Sequence, residues 1–575
     1  MKSRLVQLSL LLTLALLISV TACQPATPAA TPVAEQPTQA VATQAPTQAP
    51  TEAPPPPAEE EIVTEGEQSI LRAPRAQIDN LDPGLMPSVN DVDIQRKMFQ
   101  GLLDYMDDGT ELLQGAERYE VNETGDVYTF YLRQNAKWSD GKPVTAHDYV
   151  WAWRRTLDPA TANPYAGTVY IIKNAQAINE GTITDLTQLG VEAVDDYTLK
   201  VTLEQPAGFF PRLAAFPTLF PLRQDVIEKY GEKWVEPGNV VCNGPYVMTE
   251  WEKDVKVVFE RNPYYWGEPA KVAKLVYLLM EDPYSTALTL YEADELDLAP
   301  FPPEEYARIK ADPELSQQVV LQPQSNTYWV VFDTKNPPFD DVRVRQAFSL
   351  AIDRQGFVNG VLQGLGQPAY ILIAPGIAGR NEDAYIGTRD YAQDVEKAKQ
   401  LLAEAGYPNG EGFPEVELKY RTRFLEQKGG EALPAMWEKA LGVKVKGSPT
   451  EAQAYREWFR SRADQPFHMM IYGWSSDYED PYNWFNAIFE SSVDQYHSRW
   501  VNEEFDELVN KAAGEPDPEK RIQMYMQADA ILEREVPLAP VMHSVEPYLL
   551  KPWVRGPVFS RMGNYNLHWA WVVKH

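Results

Sequence analysis

His147, His468, His497, His543, His568 and His575 are the six histidines of a 575-residue chain, and none stands at metal-ligand spacing from another histidine or a cysteine. No metal centre and no cofactor are expected. Nucleophile chemistry is as thin, for there is no Gly-x-Ser-x-Gly elbow, no His-Glu-x-x-His, no phosphate-cradling loop and no calcium loop. Paired carboxylates abound, as they must among 82 acidic residues, so they cannot mark a glycosidase. Only two cysteines occur, Cys23 and Cys242. Cys242, in Val-Val-Cys-Asn-Gly-Pro-Tyr, reads as a small buried apolar residue rather than a nucleophile. An enzyme, such as a secreted hydrolase, survives here only by default, and binding without turnover is the expectation.

Cys23 has chemistry of a different kind. It ends Val20-Thr21-Ala22-Cys23, after an apolar run from Leu5 to Val20 that follows Lys2 and Arg4. A basic start, an apolar core and small residues at the exit read as a secretory signal over 1–22, too short and wrongly flanked to persist as a membrane span. The four residues resemble a bacterial lipobox, in which the signal is cut before the cysteine and the thiol becomes lipid-modified. Several acyl chains on one cysteine would supply the multiple anchors that stable membrane attachment needs. From Gln24 to Ala58 the chain carries ten prolines, no glycine, no aromatic residue and two charges, Glu35 and Glu52. Such a stretch cannot build a core, and at about 3 Å per residue it can hold a folded body up to roughly 100 Å from the lipid. The anchored linker is therefore read as 23–67, with the protein lipid-anchored on the extracytoplasmic face of the membrane.

The elements that must position any site begin at Ser69-Ile70-Leu71-Arg72, the first convincing strand. Tyr197 to Leu203 alternates apolar and polar residues as a half-buried strand does, and Tyr128 to Leu132 does so in part. Val344, Ala347, Phe348 and Ala351 keep the i, i+3, i+4, i+7 spacing of a helix behind the possible caps Asp340 and Asp341. A second helix runs from Val395 through Ala398, Leu402 and Ala405 to a stop at Gly406. In Thr145-Ala146-His147-Asp148 a hydroxyl residue precedes an acid by three, as at a helix start. The alternation argues for a mixed α/β fold.

About five hundred residues follow the linker, more than one core usually organises, so two or three lobes are expected. Fifteen tryptophans, thirty tyrosines and twenty phenylalanines supply the buried surface, with some left to line a ligand cleft. The formal charge is −30, and −32 once Lys2 and Arg4 leave with the signal. Nucleic acid is excluded as a partner, since phosphate binding needs a basic footprint. The charge reads chiefly as solubility, though it would also steer cationic solutes.

Lys137-Trp138-Ser139-Asp140-Gly141-Lys142-Pro143-Val144-Thr145-Ala146-His147-Asp148 resembles the signature of the family 5 extracellular solute-binding proteins, the oligopeptide-binding group of ATP-driven importers. Asn243-Gly244-Pro245-Tyr246, Arg261 to Trp266, Asp341 to Arg345, Leu401 to Gly406 and Lys551 to Val554 resemble further family segments in family order. The resemblance covers nearly everything from 68 to 575. It implies a bilobal periplasmic-binding-protein type II-like α/β fold with an extra domain inserted in the first lobe. The pieces would be 68–99, 225–325 and 545–575 for the first lobe, 100–224 for the extra domain, and 326–544 for the second lobe. Asn326 to Phe332 would cross between lobes, with a return near Val545 to Leu550. Hinge closure would bury the ligand and create the shape that a permease with a cytoplasmic ATPase recognises. The chain is expected to act as a monomer.

Tyr472-Gly473-Trp474-Ser475-Ser476-Asp477-Tyr478 resembles the family's Gly-Trp-x-x-Asp-Tyr segment. By that resemblance Asp477 meets the peptide's α-ammonium, although an aspartate in a loop also serves as a turn-former. Gly473, Trp474 and Ser475 flank it. Tyr165, in Asn163-Pro164-Tyr165-Ala166, and Val89 would lie along an extended ligand whose backbone pairs as an added strand. Tyr455 would be a pocket wall or simply core. Where relatives that take short peptides hold the ligand carboxylate with an arginine, a histidine and a lysine, this chain reads Ile471, Glu426 and Leu362. Arg462 is the basic residue left nearby. Since a buried carboxylate without a cation is costly, the ligand is either a longer peptide reaching Arg462 or a cationic or uncharged solute, short sugars included. Ser475 and Asn326 stand where some relatives pair cysteines. The leading reading is an import receptor for oligopeptides, ahead of a receptor for another solute.

Overall fold

The computed structural model describes residues 60–78, 80–85, 91–107, 109–461 and 465–575. The signal, Cys23, the linker up to Glu59, Val89 and Arg462 lie outside the described residues. Strands and helices alternate along the chain as expected. The expected strands are Ile70–Arg75, Val127–Leu132 and Thr198–Thr202. Helix Ala146–Leu157 opens with Thr145 and Asp148 in a reciprocal capping box, so two otherwise unpaired N–H groups are satisfied at its start. Helix Val342–Leu350 is capped by the Asp341 carboxylate, which accepts from the Arg343 amide. The helix read from Val395 starts four residues earlier, at Tyr391, because Asp390 caps it by accepting from the Ala392 and Gln393 amides.

Three larger sheets organise the body. Ile70–Arg75 runs parallel to Lys274–Leu279, which continues antiparallel into Lys256–Arg261 and Tyr246–Glu252. A second, wholly antiparallel sheet is built within 116–202, in the order Ala116–Val121, Val127–Leu132, Thr198–Thr202, Val191–Asp195. These two sheets share one apolar core that also takes in residues of 548–572. The third sheet has seven strands, with Leu538–Leu550 and Val319–Phe332 at its centre and Met469–Ser475, Val416–Arg421 and Val445–Thr450 following outward. Trp329, Val330, Val331 and Phe332 point alternately into two separate cores on its opposite faces. A strand buried on both sides has no polar face, which is why this stretch reads as a continuous apolar run.

Val319–Phe332 and Leu538–Leu550 pair antiparallel from Val319 opposite Leu549 to Val331 opposite Leu538. Both strands are longer than the segments Asn326 to Phe332 and Val545 to Leu550 read from the sequence. Their ladder is broken between Pro323 and Thr327, where three residues face one, and again between Tyr328 and Trp329. Pro323 has no N–H to donate, so the ladder loosens there at little cost. The freed backbone finds other partners: the Ser325 amide donates to the Arg561 carbonyl at 2.8 Å, and the Ser325 carbonyl accepts from the Ser476 amide at 3.0 Å.

Cys242 is fully buried, and its thiol donates to the Tyr246 carbonyl at 3.4 Å. Burial pushes its pKa up to about 12. Thiolate is the reactive form, so Cys242 should resist a maleimide at pH 7.5 in the native protein and react fully in urea. Rapid labelling of the folded protein would contradict this packing.

Candidate ligand-binding cleft

Asp477 follows the strand Met469–Ser475 and precedes the helix Pro481–Phe489. Gly473 lets that strand approach its neighbour, since a side chain there would meet Tyr328 Cδ1 at 3.0 Å and the Thr327 carbonyl at 3.1 Å. Ser475 pairs across the ladder with Asn326, whose amide donates to the serine hydroxyl at 2.7 Å. The two positions expected to replace a cysteine pair are therefore adjacent and joined by a hydrogen bond instead. Trp474 is half-buried and donates its indole N–H to Asn483 Oδ1 at 3.3 Å.

The Asp477 carboxylate is half-buried in a cavity whose walls include Arg96, Tyr105, Asp107, Phe216, Glu479 and Trp569. The cavity is thus lined from well-separated stretches of sequence. Burial raises the Asp477 pKa, and the hydrogen bond from Asn483 opposes that rise. Asn483 Nδ2 donates to Asp477 Oδ2 at 3.3 Å, while Asn483 Oδ1 accepts from the Asp477 backbone N–H at 3.0 Å. Among the described residues no cation pairs with this carboxylate.

The helix that carries Asn483 is held from below. Asp480 accepts from the Tyr482 amide at 2.8 Å as its cap, and Arg521 donates to both Asp480 oxygens at 2.9 and 2.5 Å. Both partners are buried. Burial works against the Arg521 charge, but the adjoining Asp480 more than compensates and holds the guanidinium above its usual pKa. Near the cavity, Asp107 is raised to about 6, by burial first and by the charge of Glu479 second. Arg561 partly offsets this, with its amide 3.1 Å from Asp107 Oδ2 and its Nε 3.8 Å from Glu479 Oε1.

Other expected site residues fall at various distances from this cavity. Tyr165 packs on Phe216, a cavity wall, with ring centroids 6.2 Å apart. Tyr455 is fully buried with its hydroxyl on the Ile471 carbonyl at 3.0 Å, which places it behind the strand among Trp458 and Tyr472. Ile471 and Leu362 are core, and Glu426 is a buried partner of Arg421. Asp107, Phe216, Asn483, Arg561 and Trp569 carry no local pattern that marks them in the sequence. The segments that bear the resemblance are mostly scaffold. Asn243 bonds both backbone groups of Gln100, at 3.0 and 2.9 Å, and Asn262 donates to the Gly244 carbonyl at 2.9 Å. A side chain on Gly244 would strike the Met98 carbonyl at 2.6 Å.

A model of bacterial extracellular solute-binding proteins, family 5 Middle, matches residues 114–496. The chain belongs to family 5. The periplasmic oligopeptide-binding protein OppA of Escherichia coli (strain K12) is 34% identical over 497 residues, covering 85% of this chain and 90% of that protein. The probable deoxycholate-binding periplasmic protein YgiS of the same organism is 35% identical over 479 residues, with 83% and 88% covered. Among solved structures, the unliganded open form of the murein tripeptide binding protein MppA superposes with a TM-score of 0.81 at 31% identity, covering 90% of this chain and 99% of that one. Haemophilus influenzae OppA in complex with RPPGFSPFR gives 0.63 at 31% identity, covering 88% and 100%. The mixed α/β fold is that of family 5 periplasmic binding proteins.

Two outcomes follow from the charges. Arg521→Ala strands the Asp480 carboxylate in the interior and should cost about 3–5 kcal/mol in urea unfolding; a loss under 1 kcal/mol would show that the pair does not hold the helix. Asp107 has a folded pKa above its unfolded value near 3.9, so its contribution to stability is complete below about pH 4 and is lost as pH rises through about 6. Asp107→Asn should therefore raise the melting temperature more at pH 7.5 than at pH 4.5. An equal shift at both would rule out this titration.

Proposed function

We propose that this chain is the extracytoplasmic substrate-binding lipoprotein of an ABC importer, capturing oligopeptides around Asp477 and delivering them to a membrane permease. One observation carries the reading: a half-buried carboxylate faces a cavity and, among the described residues, makes no ion pair, although Arg96 and Arg212 line the same cavity. A peptide's α-ammonium supplies the missing counter-charge, and the bond is strong because the site is partly dry. Gly473, Trp474, Ser475 and Tyr165 then lie along the ligand's first residues. The oligopeptide-binding relatives support the same ligand class.

In this reading the body divides into a first lobe of 68–99, 225–325 and 545–575, an extra domain of 100–224, and a second lobe of 326–544. The lobes turn where the central ladder is broken at Gln324–Asn326, since unpaired backbone bends most easily. The higher superposition on an unliganded open form than on a peptide complex at equal identity supports an open state awaiting ligand. Cys23 anchors the protein by lipid, and its proline-rich tether gives the body reach. Binding requires no cofactor and no turnover, because energy is spent by the cytoplasmic ATPase.

A non-peptide solute is the second reading. It is favoured by Ile471, Glu426 and Leu362, none of which is available to neutralise a ligand carboxylate, and by a relative named for deoxycholate at equal similarity. Calorimetric titration with tetra- to hexapeptides separates the two. Asp477→Asn should cost about 2–5 kcal/mol of peptide binding, roughly thirtyfold or more in Kd, and N-acetylation of the peptide should cost wild type as much. Unchanged affinity in both arms removes the peptide reading, and mass spectrometry of copurifying molecules then identifies the solute.

A further inference from the structure

Asn483 is 3% exposed, and its side chain makes three hydrogen bonds, all to Trp474 and Asp477. Its Oδ1 accepts from two N–H donors, the Asp477 amide at 3.0 Å and the Trp474 indole at 3.3 Å. Its Nδ2 donates to Asp477 Oδ2 at 3.3 Å. This pattern settles which way the amide points, because a flipped group would set N–H against two N–H donors. The next residue, Trp484, donates to Ser476 Oγ at 2.7 Å, so consecutive residues of one helical turn hold the whole Trp474–Asp477 loop. That turn is itself fixed by Asp480 and Arg521.

We propose that Asn483 is a positioning residue that sets specificity: its amide locks the Asp477 carboxylate and the Trp474 indole into one rigid edge, leaving Asp477 Oδ1 directed to a ligand ammonium. Neither side chain of closest size reproduces the arrangement. Aspartate keeps the acceptor but loses the donor and sets a second negative charge beside Asp477. Leucine keeps the shape and loses all three bonds. A carboxylate left free to rotate pairs with cations less selectively, since orientation rather than charge alone distinguishes an α-ammonium from its surroundings. Burial already works against the Asp477 charge, and the Asn483 donor opposes that effect.

The inference rests on reading Asp477 as the ammonium anchor. The experiment measures discrimination, the ratio of affinities for a free and an N-acetylated pentapeptide, in wild type, Asp477→Asn, Asn483→Leu and Asn483→Asp between pH 7.5 and 5.5. Asn483→Leu should lose discrimination about tenfold or more at every pH, the effect of removing a hydrogen bond to a charged group. Asn483→Asp should lose as much at pH 7.5 and regain it towards pH 5.5, where two adjacent carboxyls share one proton and the protonated one donates. Wild type, with no second carboxylate beside Asp477, should show no such recovery on acidification. A merely structural role would not produce a recovery on acidification confined to Asn483→Asp. If Asn483→Leu does not fold, Asn483→Asp, close to it in volume, carries the test through its pH dependence. Wild-type discrimination and slope in the Asn483 variants, with discrimination lost in Asp477→Asn, overturn the positioning role alone. Full discrimination in Asp477→Asn overturns the anchor reading itself.

Discussion

A carboxylate drawn partly out of water and, among the described residues, without an ion-pair partner is held against its own preference, and the site depends on how the fold tolerates that. Asp477 loses hydration to the cavity and regains one donor, the Asn483 amide. The loss is bearable because it is partial: the residue is not fully buried, so water still reaches it and the full cost of an isolated buried ion is avoided. A fully dry carboxylate would protonate instead.

Support for that residue comes in tiers. Arg521 and Asp480 hold the first turn of a nine-residue helix, that turn presents Asn483 and Trp484, and these two fasten the anchor loop. The loop is also tied to the broken stretch of the central ladder, through Ser476 and Ser325. The Ser325 hydroxyl in turn donates to Glu479, and Arg561 reaches the same stretch from the C-terminal segment. The Asp477 loop and the point where the two long strands loosen are thus neighbours.

Local patterns were legible wherever neighbouring residues decide the structure. The strand at Thr198, the capping box at Thr145 and the helix behind Asp341 depend on contacts within a few residues, and all three appear where periodicity and caps place them. The helix start at Tyr391 lay earlier than its apolar spacing suggests, because the Asp390 cap extends it beyond the residues that pack. Tyr455 shows the opposite limit. An aromatic residue serves a core or a pocket equally well by type, and only the packing around its ring puts it in the interior.

By itself, the order of residues determined the class of fold, the family and the anchor residue Asp477 as a candidate, because those follow from short motifs and their succession. Only the tertiary structure decided what surrounds that carboxylate. Asp107, Phe216, Glu479 and Trp569 reach one cavity from segments hundreds of positions apart, and no local spacing encodes such a meeting. The motifs that announce the family proved to be mainly connectors: Asn243, Gly244 and Asn262 join chain segments at close range far along the sequence from Asp477. Resemblance is carried by residues that hold the frame, whereas the chemistry of the cleft is set by side chains that only the folded sheet and its loops bring together.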